Sequence, residues 1–361
     1  MLGLIVSSHQ HEHKYYCASR LFSQMLMEGV APDRVTFVNM LSNPLPNMIR
    51  GGKFLHAMLV GAELELDVVI GTALITMYSK SGNIEKARSV FDHMPARNVV
   101  TWSAMISACA RHNEAEDALR HLSSMELQGH VPRKITLVSA LSACASLASQ
   151  DVSYALHTQA VLKGFDMDVI VGTALIHTYG RCGNLMSSDA VFCKMVEKNA
   201  LSWTAMMATY GIHGRSDRML TLFQEMHSEG FPPDDICFLC IMSACSHLGM
   251  LDEGCGIFGF MTCEHGIQPK LEHFNSLVDL LGRIGMLDEG EVVIRAMPCG
   301  ASSGTWLSLL SACKMHSDME RAERIAHCVF QQDPLNAASL LLLPRTRSSS
   351  LIETSLLDIE D

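Results

Sequence analysis

Apolar residues recur along this chain at the spacing of one helix face. Between residues 72 and 79 the apolar residues Ala73, Leu74, Met77 and Tyr78 lie one, three and four positions apart, as on one face of a helix. The dipeptide Gly82-Asn83 then interrupts the pattern, a second run of the same spacing follows over residues 84–94, and Pro95 lies just beyond it. This spacing is typical of amphipathic helices, and Gly and Pro mark their ends. The segment therefore predicts a helix, a tight turn and a second helix.

The same pattern returns 101 residues later. Residues 68–98 and 169–199 align in register from the Gly-Thr-Ala-Leu-Ile opening to the closing Asn, and Trp102 and Trp203 keep the same offset. Self-similarity at a fixed period indicates stacked units, each too small to bury its own apolar face. No repeat alternates apolar and polar residues over the length of a strand. We therefore predict an all-α fold, a right-handed α-solenoid superhelix of helix-turn-helix repeats.

Recurring Pro-Asp and Arg/Lys-Asn endings divide the period into three repeats, most of them 35 or 31 residues long. The predicted segments are a partial repeat over 1–33, an array over 34–302 (34–67, 68–98, 99–133, 134–168, 169–199, 200–234, 235–270 and 271–302), a different helical motif over 303–339, and a tail over 340–361. The Ser-rich, weakly patterned tail is predicted to be disordered or aberrant. Pro44 and Pro46 are predicted to end the first helix of repeat 34–67 early.

Composition narrows the possible functions. Hydrophobic residues make up 48% of the chain, and its 24 Met at helical spacing indicate core packing. Thirteen Cys without regular pairing suggest reduced thiols. Four of them recur within Ser-Ala-Cys triplets, which suggests packing: Cys109, Cys144, Cys245 and Cys313. No stretch reaches the roughly 18 apolar residues of a membrane span, so no membrane association is expected. The net charge of −11 argues against a uniformly basic surface but leaves room for a locally basic groove.

One cluster resembles a catalytic site. His227, Glu229, Cys237 and Cys240 supply the H-x-E and C-x-x-C elements of a zinc nucleoside deaminase. Those elements normally lie on separate helices around a substrate pocket, whereas here a short inter-repeat loop separates them. The sequence His11-Glu12-His13 could bind metal, but a solvated terminal stretch is the simpler interpretation. We therefore predict no catalytic residue, no metal site and no cofactor.

The repeat rhythm, the endings Gly-Val-Ala-Pro-Asp (29–33) and Gly-Phe-Pro-Pro-Asp (230–234), and the Phe-x-x-Met closings resemble the plant pentatricopeptide repeat proteins of the PLS subclass. Long, short and standard repeats alternate in that subclass. The resemblance covers residues 1–339. Residues 303–339, which include Trp306, Cys313 and the ending Asp333-Pro334, resemble the extension motif that follows the last repeat in RNA-editing members.

The resemblance implies binding of single-stranded RNA in a mitochondrion or chloroplast, although no transit peptide is recognisable in the first residues. One base would pair with each repeat, 5′ to 3′ along the chain, and be read by the fifth and last residues of the repeat. The implied pairs are Thr72 with Asn98, Ser103 with Arg133, Thr173 with Asn199, Thr204 with Asp234, and Asn275 with a partner near Ser302.

The family's code assigns adenine to the two Thr/Asn pairs, guanine to Thr204/Asp234, and a pyrimidine to Asn275. Arg133 departs from the usual ending and suits a phosphate instead. The long repeats carry Val38, Val138 and Leu239 at the fifth position, and these side chains are expected to space or sandwich bases. An alternative role for each Thr or Ser hydroxyl is to cap the helix that starts nearby.

Two functions remain open at this stage. The first is a specificity factor for C-to-U editing of organelle transcripts, with catalysis supplied by a deaminase-bearing partner in trans. The second is a helical-repeat scaffold that binds other proteins, as tetratricopeptide arrays do. The polar pair at the ends of each repeat favours RNA, because a peptide-binding array has no reason to repeat it.

Overall fold

The computed structural model describes residues 20–42, 48–61, 67–298 and 300–332, and the chain divides into an N-terminal body (residues 1–184) and a C-terminal body (185–361). The helices of the N-terminal body are α1 (20–27), α2 (Arg34–Ser42), α3 (Met48–Gly61), α4 (Val68–Lys80), α5 (Ile84–His93), α6 (Val99–Arg111), α7 (Ala115–Leu127), α8 (Lys134–Leu147), α9 (Gln150–Leu162) and α10 (Val169–Arg181). Those of the C-terminal body are α11 (Leu185–Lys194), α12 (Ala200–Ile212), α13 (Ser216–Ser228), α14 (Asp235–Leu248), α15 (Leu251–Gly259) with a π-helical continuation (Phe260–Glu264), α16 (Leu271–Ile284), α17 (Leu287–Ala296), α18 (Ser303–Met315) and α19 (Met319–Gln332).

The all-α prediction is confirmed, because no strand occurs among the described residues. From α2 to α16, every even-numbered helix begins at the first residue of a sequence repeat, and α18 begins at the first residue of the motif that follows. Successive starts lie 31 to 36 residues apart. We call these even-numbered helices the first helices and their partners the second helices. A tight turn joins the two helices of a repeat, and Gly82 and Gly183 occupy its left-handed position at φ values of 80° and 78°.

Within each body the first helices contact one another in sequence. Helices α4, α6, α8 and α10 form one such series, and α12, α14, α16 and α18 form the other. A second helix packs against the first helix of its own repeat and that of the next repeat, as α7 does against α6 and α8. The first helices therefore present a face away from the second helices, and the residues near their N-termini share that face.

The repeated aromatic and sulfur residues form the core between these layers. Trp102 packs edge-on against Phe91, and Trp203 packs in the same way against Phe192. The four Cys of the Ser-Ala-Cys triplets are buried, as predicted, and burial raises the pKa of each thiol to about 11 or 12. These thiols pack as small neutral hydrophobic groups.

Several sequence-based predictions fall partly outside the described residues, namely those for His11 to His13, for Pro44 and Pro46, for the ending Asp333-Pro334 and for the tail 340–361. Helix α2 ends at Ser42 after nine residues, whereas the other first helices have 13 or 14. Among the helices that the structure describes, none has the length and apolar character to cross a membrane.

Close approach of neighbouring first helices predicts a stability effect at Gly282 in α16. A Cβ atom added there would lie 2.7 Å from Cβ of Ala312 in α18, which is closer than two carbon atoms pack. We expect Gly282→Ala to lower the free energy of unfolding by about 1–2 kcal/mol, since overpacking outweighs the gain in helix propensity. Urea denaturation followed by circular dichroism measures the change.

The matched control is Gly256→Ala in α15, where an added Cβ would meet no atom within 4 Å. This substitution keeps the propensity gain and removes the clash, so an increase of about 0.5–1 kcal/mol is expected. Equal effects of the two substitutions would contradict the close approach between α16 and α18.

Candidate nucleic-acid interface

The fifth residues of the repeats lie one turn into the first helices, and their hydroxyl groups bond backward. Oγ1 of Thr72 donates to the carbonyl of Val68 at 2.6 Å. The other fifth residues with hydroxyl groups do the same at 2.7 or 2.8 Å, namely Ser103 to Val99, Thr173 to Val169, and Thr204 to Ala200. These hydroxyl groups therefore do not cap helices, so the alternative role considered from sequence is wrong for them.

Capping is carried out by the closing residue of the preceding repeat. Oδ1 of Asn98 accepts the backbone N–H groups of Val100 and Thr101, both at 2.9 Å. Oδ1 of Asn199 accepts from Ser202 at 2.9 Å, and Oδ1 of Asp234 accepts from Cys237 at 2.8 Å. Each closing residue thus begins the next repeat's first helix by satisfying N–H groups that have no partner within the helix.

A third side chain joins the fifth residue to the closing residue. Oγ1 of Thr101 lies 2.8 Å from Oγ1 of Thr72 and 3.2 Å from Oδ1 of Asn98. Thr101 is the third residue of the next repeat, and it is fully buried. The two base-reading candidates of repeat 68–98 are therefore linked by one buried hydroxyl.

The same link identifies the partner of Asn275. Oγ1 of Thr305 donates to Oδ1 of Asn275 at 2.7 Å and lies 3.0 Å from Oγ of Ser302, which caps α18 through the backbone N–H of Thr305. Ser302 is therefore linked to Asn275 through one buried hydroxyl, as Asn98 is linked to Thr72.

Thr173 and Thr204 are more enclosed than the sequence suggested. Their exposed fractions are 9% and 5%, whereas Thr72, Ser103 and Asn275 are half-buried. Their closing residues, Asn199 and Asp234, are exposed. In these two repeats the accessible hydrogen-bonding group is thus the closing side chain.

The N-terminal body contains a cleft of about 330 Å³ between its first helices. The lining residues are Thr72, Thr76, Ser79, Val99, Val100, Ser103, Ala104, Ser107, Ala108, Arg111, Arg133 and Ile135. Arg111 and Arg133 are exposed and form no ion pair with a described residue. The cleft therefore combines hydroxyl groups, aliphatic side chains and positive charge, although the chain as a whole is acidic.

Sequence reasoning missed a series of exposed aliphatic side chains. The second residue of each of seven repeats is Val, Ile or Leu with 43% to 68% of its surface exposed, namely Val35, Val69, Val100, Ile135, Ile170, Leu201 and Ile236. A single exposed aliphatic residue is ordinary, but one at the same place in seven successive repeats forms a pattern. The signal was present in the sequence as an aliphatic residue three positions before the fifth residue of each of these seven repeats.

The long repeats differ in what their closing residue contacts. Each closing side chain forms an ion pair with the first residue of its own repeat: Arg34 with Asp67 at 3.2 Å, Lys134 with Asp168 at 2.8 Å, and Asp235 with Lys270. Partial burial opposes ionisation of Asp168, yet hydrogen bonds from Lys134 and two backbone N–H groups hold the pKa of this carboxyl below its usual value. The ammonium of Lys270 lowers the pKa of Asp235 in the same way.

The deaminase-like residues do not form a metal centre in this fold. Cys237 is buried in α14, and burial raises the pKa of its thiol to about 12, against the thiolate form that binds zinc. His227 packs edge-on against the rings of Phe260 and His265. No group of three or more His, Cys, Asp or Glu side chains in the described ranges is arranged to hold a metal ion.

Comparison with known proteins places this arrangement among helical-repeat proteins. The family model described as the PPR repeat matches residues 72–99, 100–130, 173–199, 201–231, 236–265 and 272–299. A mitochondrial pentatricopeptide repeat-containing protein of Arabidopsis thaliana is 37% identical over 96% of this chain and 56% of its own length. The chloroplastic pentatricopeptide repeat-containing protein CRR2 of Arabidopsis thaliana is 37% identical over 90% of this chain and 50% of its own length. The chain thus spans about half the length of these relatives.

A solved structure shares the fold. The crystal structure of the pentatricopeptide repeat protein PPR10 from maize matches 97% of this chain and 52% of its own chain with a TM-score of 0.69 at 16% identity. PPR10 in complex with an 18-nucleotide psaJ RNA element matches 92% of this chain and 54% of its own chain with a TM-score of 0.55 at 15% identity. At this identity the likeness confirms the helical-repeat solenoid fold.

Proposed function

We propose that this chain, which belongs to the pentatricopeptide repeat family, binds single-stranded RNA in a sequence-specific manner. Pentatricopeptide repeats are a known instance of reading one base per helical repeat with two or three side chains. The observation that carries the proposal is that the fifth residue and the closing residue are joined by a buried hydroxyl at the first helices in repeat 68–98 and again in repeat 271–302.

Capping determines what a closing Asn offers to a base. Because Oδ1 of Asn98 accepts two backbone N–H groups, its amide orientation is fixed and only the Nδ2 donors remain for a ligand. The Watson–Crick edge of adenine carries the acceptor N1, which an amide donor complements, beside the N6 amino group. Asn98 and Asn199 thus suit adenine opposite repeats 68–98 and 169–199.

A closing Asp presents a hydrogen-bond acceptor to the base, where a closing Asn presents donors. Oδ1 of Asp234 accepts the N–H of Cys237, and Oδ2 has no protein partner among the described residues, so this side chain presents an acceptor. The Watson–Crick edge of guanine carries the donors N1–H and N2–H₂, which a carboxylate complements. Guanine is therefore the base proposed opposite repeat 200–234.

The exposed aliphatic second residues complete the base sites of the repeats that carry them. Val100 and Ile135 border the cleft that Thr72 and Ser103 also line. An aliphatic side chain on each side of a base excludes water and contacts both faces of the ring, whatever the base. We assign the sandwiching of bases to these residues and the reading of base edges to the polar pair.

The long repeats are proposed to hold RNA without reading it. Their fifth residues are aliphatic, and both carboxylate oxygens of Asp168 are occupied by backbone N–H groups and Lys134. Positive charge for phosphates comes from groove residues such as Arg111 and Arg133. Local charge of this kind offsets the net charge of −11 where the RNA lies.

The biological role we propose is target selection for C-to-U editing of transcripts in a mitochondrion or chloroplast. Residues 303–332 form the helix pair α18 and α19 after the last repeat, in the region that resembles the extension motif. We assign catalysis to a deaminase-bearing partner in trans and expect no deamination by the chain alone. The relatives named mitochondrial and chloroplastic support an organellar location.

Selection from a random single-stranded RNA pool tests the proposal. We expect enriched sequences with adenine, adenine and guanine opposite repeats 68–98, 169–199 and 200–234, and no enrichment opposite repeat 134–168. Since non-specific binding to phosphates occurs without sequence preference, enrichment is the decisive readout. Binding without enrichment at the three reading repeats contradicts base reading, and absence of RNA binding favours the competing function of a protein-binding scaffold.

A further inference from the structure

The polarity of the third residue of a repeat follows the polarity of the fifth residue of the repeat before it. Polar fifth residues at 72, 103, 204 and 275 are followed by the polar or sulfur third residues Thr101, Thr136, Cys237 and Thr305. The aliphatic Val38 and Val138 are followed by the apolar Ile70 and Val171. The four polar third residues are almost fully buried, with exposed fractions of 0% or 1%.

Contacts explain this correspondence. Thr136 lies 2.6 Å from the hydroxyl of Ser103, and Thr305 lies 2.7 Å from Oδ1 of Asn275. Repeat 235–270 combines an aliphatic Leu239 with a polar third residue in the next repeat, His273. Nε2 of His273 lies 2.9 Å from the carbonyl of Asp235, the acceptor that a fifth-residue hydroxyl takes in other repeats.

We propose that the third residue of the following repeat is a positioning residue for base selectivity, a role that rests on the proposed RNA binding. It does not touch the base. It fixes the orientation of the polar group on the fifth residue, and so decides whether that residue presents a donor or an acceptor to the base.

The hydrogen bonds of the Thr72 hydroxyl explain how the third residue acts on base selectivity. Each hydroxyl has one hydrogen and can accept up to two hydrogen bonds. The Thr72 hydrogen points either to the carbonyl of Val68 or to Thr101, both within 2.8 Å, so Thr72 turns a lone pair toward the groove. Thr72 then accepts from adenine N6 while Asn98 donates to adenine N1. Guanine is disfavoured because its O6 atom would face that lone pair.

The same logic applies to Asn275 in the C-terminal body. Donation from Thr305 holds the carbonyl oxygen of the Asn275 amide away from a bound base and leaves its Nδ2 donors in place. Without that hydroxyl the amide can turn over and present an acceptor instead. Thr305 thus maintains the pyrimidine preference assigned to Asn275.

The test compares Thr101→Val with Thr101→Ser in the full chain. Thr101→Val leaves no buried group without a partner, because Asn98 keeps two backbone N–H groups and the carbonyl of Val68 remains one acceptor for Thr72. The Thr72 hydrogen is then no longer confined between two acceptors, so it can also turn toward the bound base. RNAs that differ only by adenine or guanine opposite repeat 68–98 are titrated, and the ratio of the two Kd values is measured. We expect Thr101→Val to lower this ratio about fivefold, the effect of one neutral hydrogen bond, and Thr101→Ser to retain it.

Two further measurements make the result decisive. A Kd ratio from one protein sample is independent of the folded fraction, and the ratio for guanine over adenine opposite repeat 200–234 should not change in Thr101→Val. Thr305→Val should lower the pyrimidine-over-purine ratio opposite repeat 271–302, with rescue by Thr305→Ser. Wild-type ratios in both valine variants would overturn the inference while leaving RNA reading intact. A wild-type protein without base preference would instead contradict the proposed function.

Discussion

Replacing Asp234 by Asn is expected to change the preferred base opposite repeat 200–234 from guanine to adenine. Asn caps helices as well as Asp does, so the N–H of Cys237 keeps its acceptor and α14 keeps its start. What changes is the group that faces the RNA, from a carboxylate acceptor to an amide donor. Thr204 is 5% exposed, so the closing residue carries the discrimination at this site.

The size of the effect follows from the strength of a base-edge contact. A good bidentate contact discriminates between bases by about 1–3 kcal/mol, so the guanine-over-adenine ratio of Kd values should shift by at least one order of magnitude. Fluorescence anisotropy with two RNAs that differ at this one nucleotide gives the ratio. Asn199→Asp is the reciprocal control and should shift repeat 169–199 toward guanine. The same preferred base in wild type and Asp234→Asn would reject the assignment.

Replacing Trp203 by alanine is expected to lower the free energy of unfolding by about 3–5 kcal/mol, as removal of a large buried aromatic side chain does. Trp203 is 2% exposed, lies 5.0 Å from the ring of Phe192 and 6.2 Å from that of Phe231, and has Nζ of Lys198 6.0 Å above it. Loss of the indole leaves a cavity where two repeats meet in the C-terminal body. Thermal and urea denaturation followed by circular dichroism measure the loss.

Two controls separate packing from other effects. Nε1 of Trp203 is buried without a hydrogen-bond partner in the described part of the chain, so Trp203→Phe removes an unsatisfied donor as well as volume. Its cost should be less than half that of alanine. Met186→Ala changes a side chain that is 84% exposed and should alter stability by less than about 0.5 kcal/mol. A loss at Met186 as large as at Trp203 would contradict the assigned core.

The helical architecture could be predicted from sequence because the same apolar spacing and the same helix ends recur in successive repeats. The apolar spacing of α4 and α5 recurs in α10 and α11, and Asp or Asn, both favourable capping residues, precedes many first helices. The capping role that was considered as an alternative for the fifth-residue hydroxyl groups belongs to the closing residues instead. Thr72 lies within the first helix, where its hydroxyl bonds to the carbonyl one turn back, and only the structure distinguishes that bond from a cap.

The details of the candidate site were harder to predict because they cross repeat boundaries. The contact between Thr72 and Thr101 joins two repeats, whereas sequence reasoning treated each repeat as a separate reader. The enclosure of Thr173 and Thr204 depends on how neighbouring side chains pack, which one-residue patterns do not encode. The exposed side chains of Val100 and Ile135 were missed, since periodicity alone does not distinguish a core-facing helix face from a ligand-facing one.

Asn98, Asn199 and Asp234 cap the next repeat's first helix, so under the proposed base reading a change of target sequence at these residues also affects the thermostability of the array. Exchange among Asn, Asp and Ser keeps the helix start, so a lineage can move between targets along these substitutions without weakening its fold. An exchange to an aliphatic residue would forfeit about 1 kcal/mol for each helix start, a substantial loss for a marginally stable protein. Arg133 precedes α8 and gives it no side-chain cap, so this helix start lacks that contribution. The choice of closing residue in an engineered variant is therefore limited to the few residue types that cap a helix, whatever base is to be recognised.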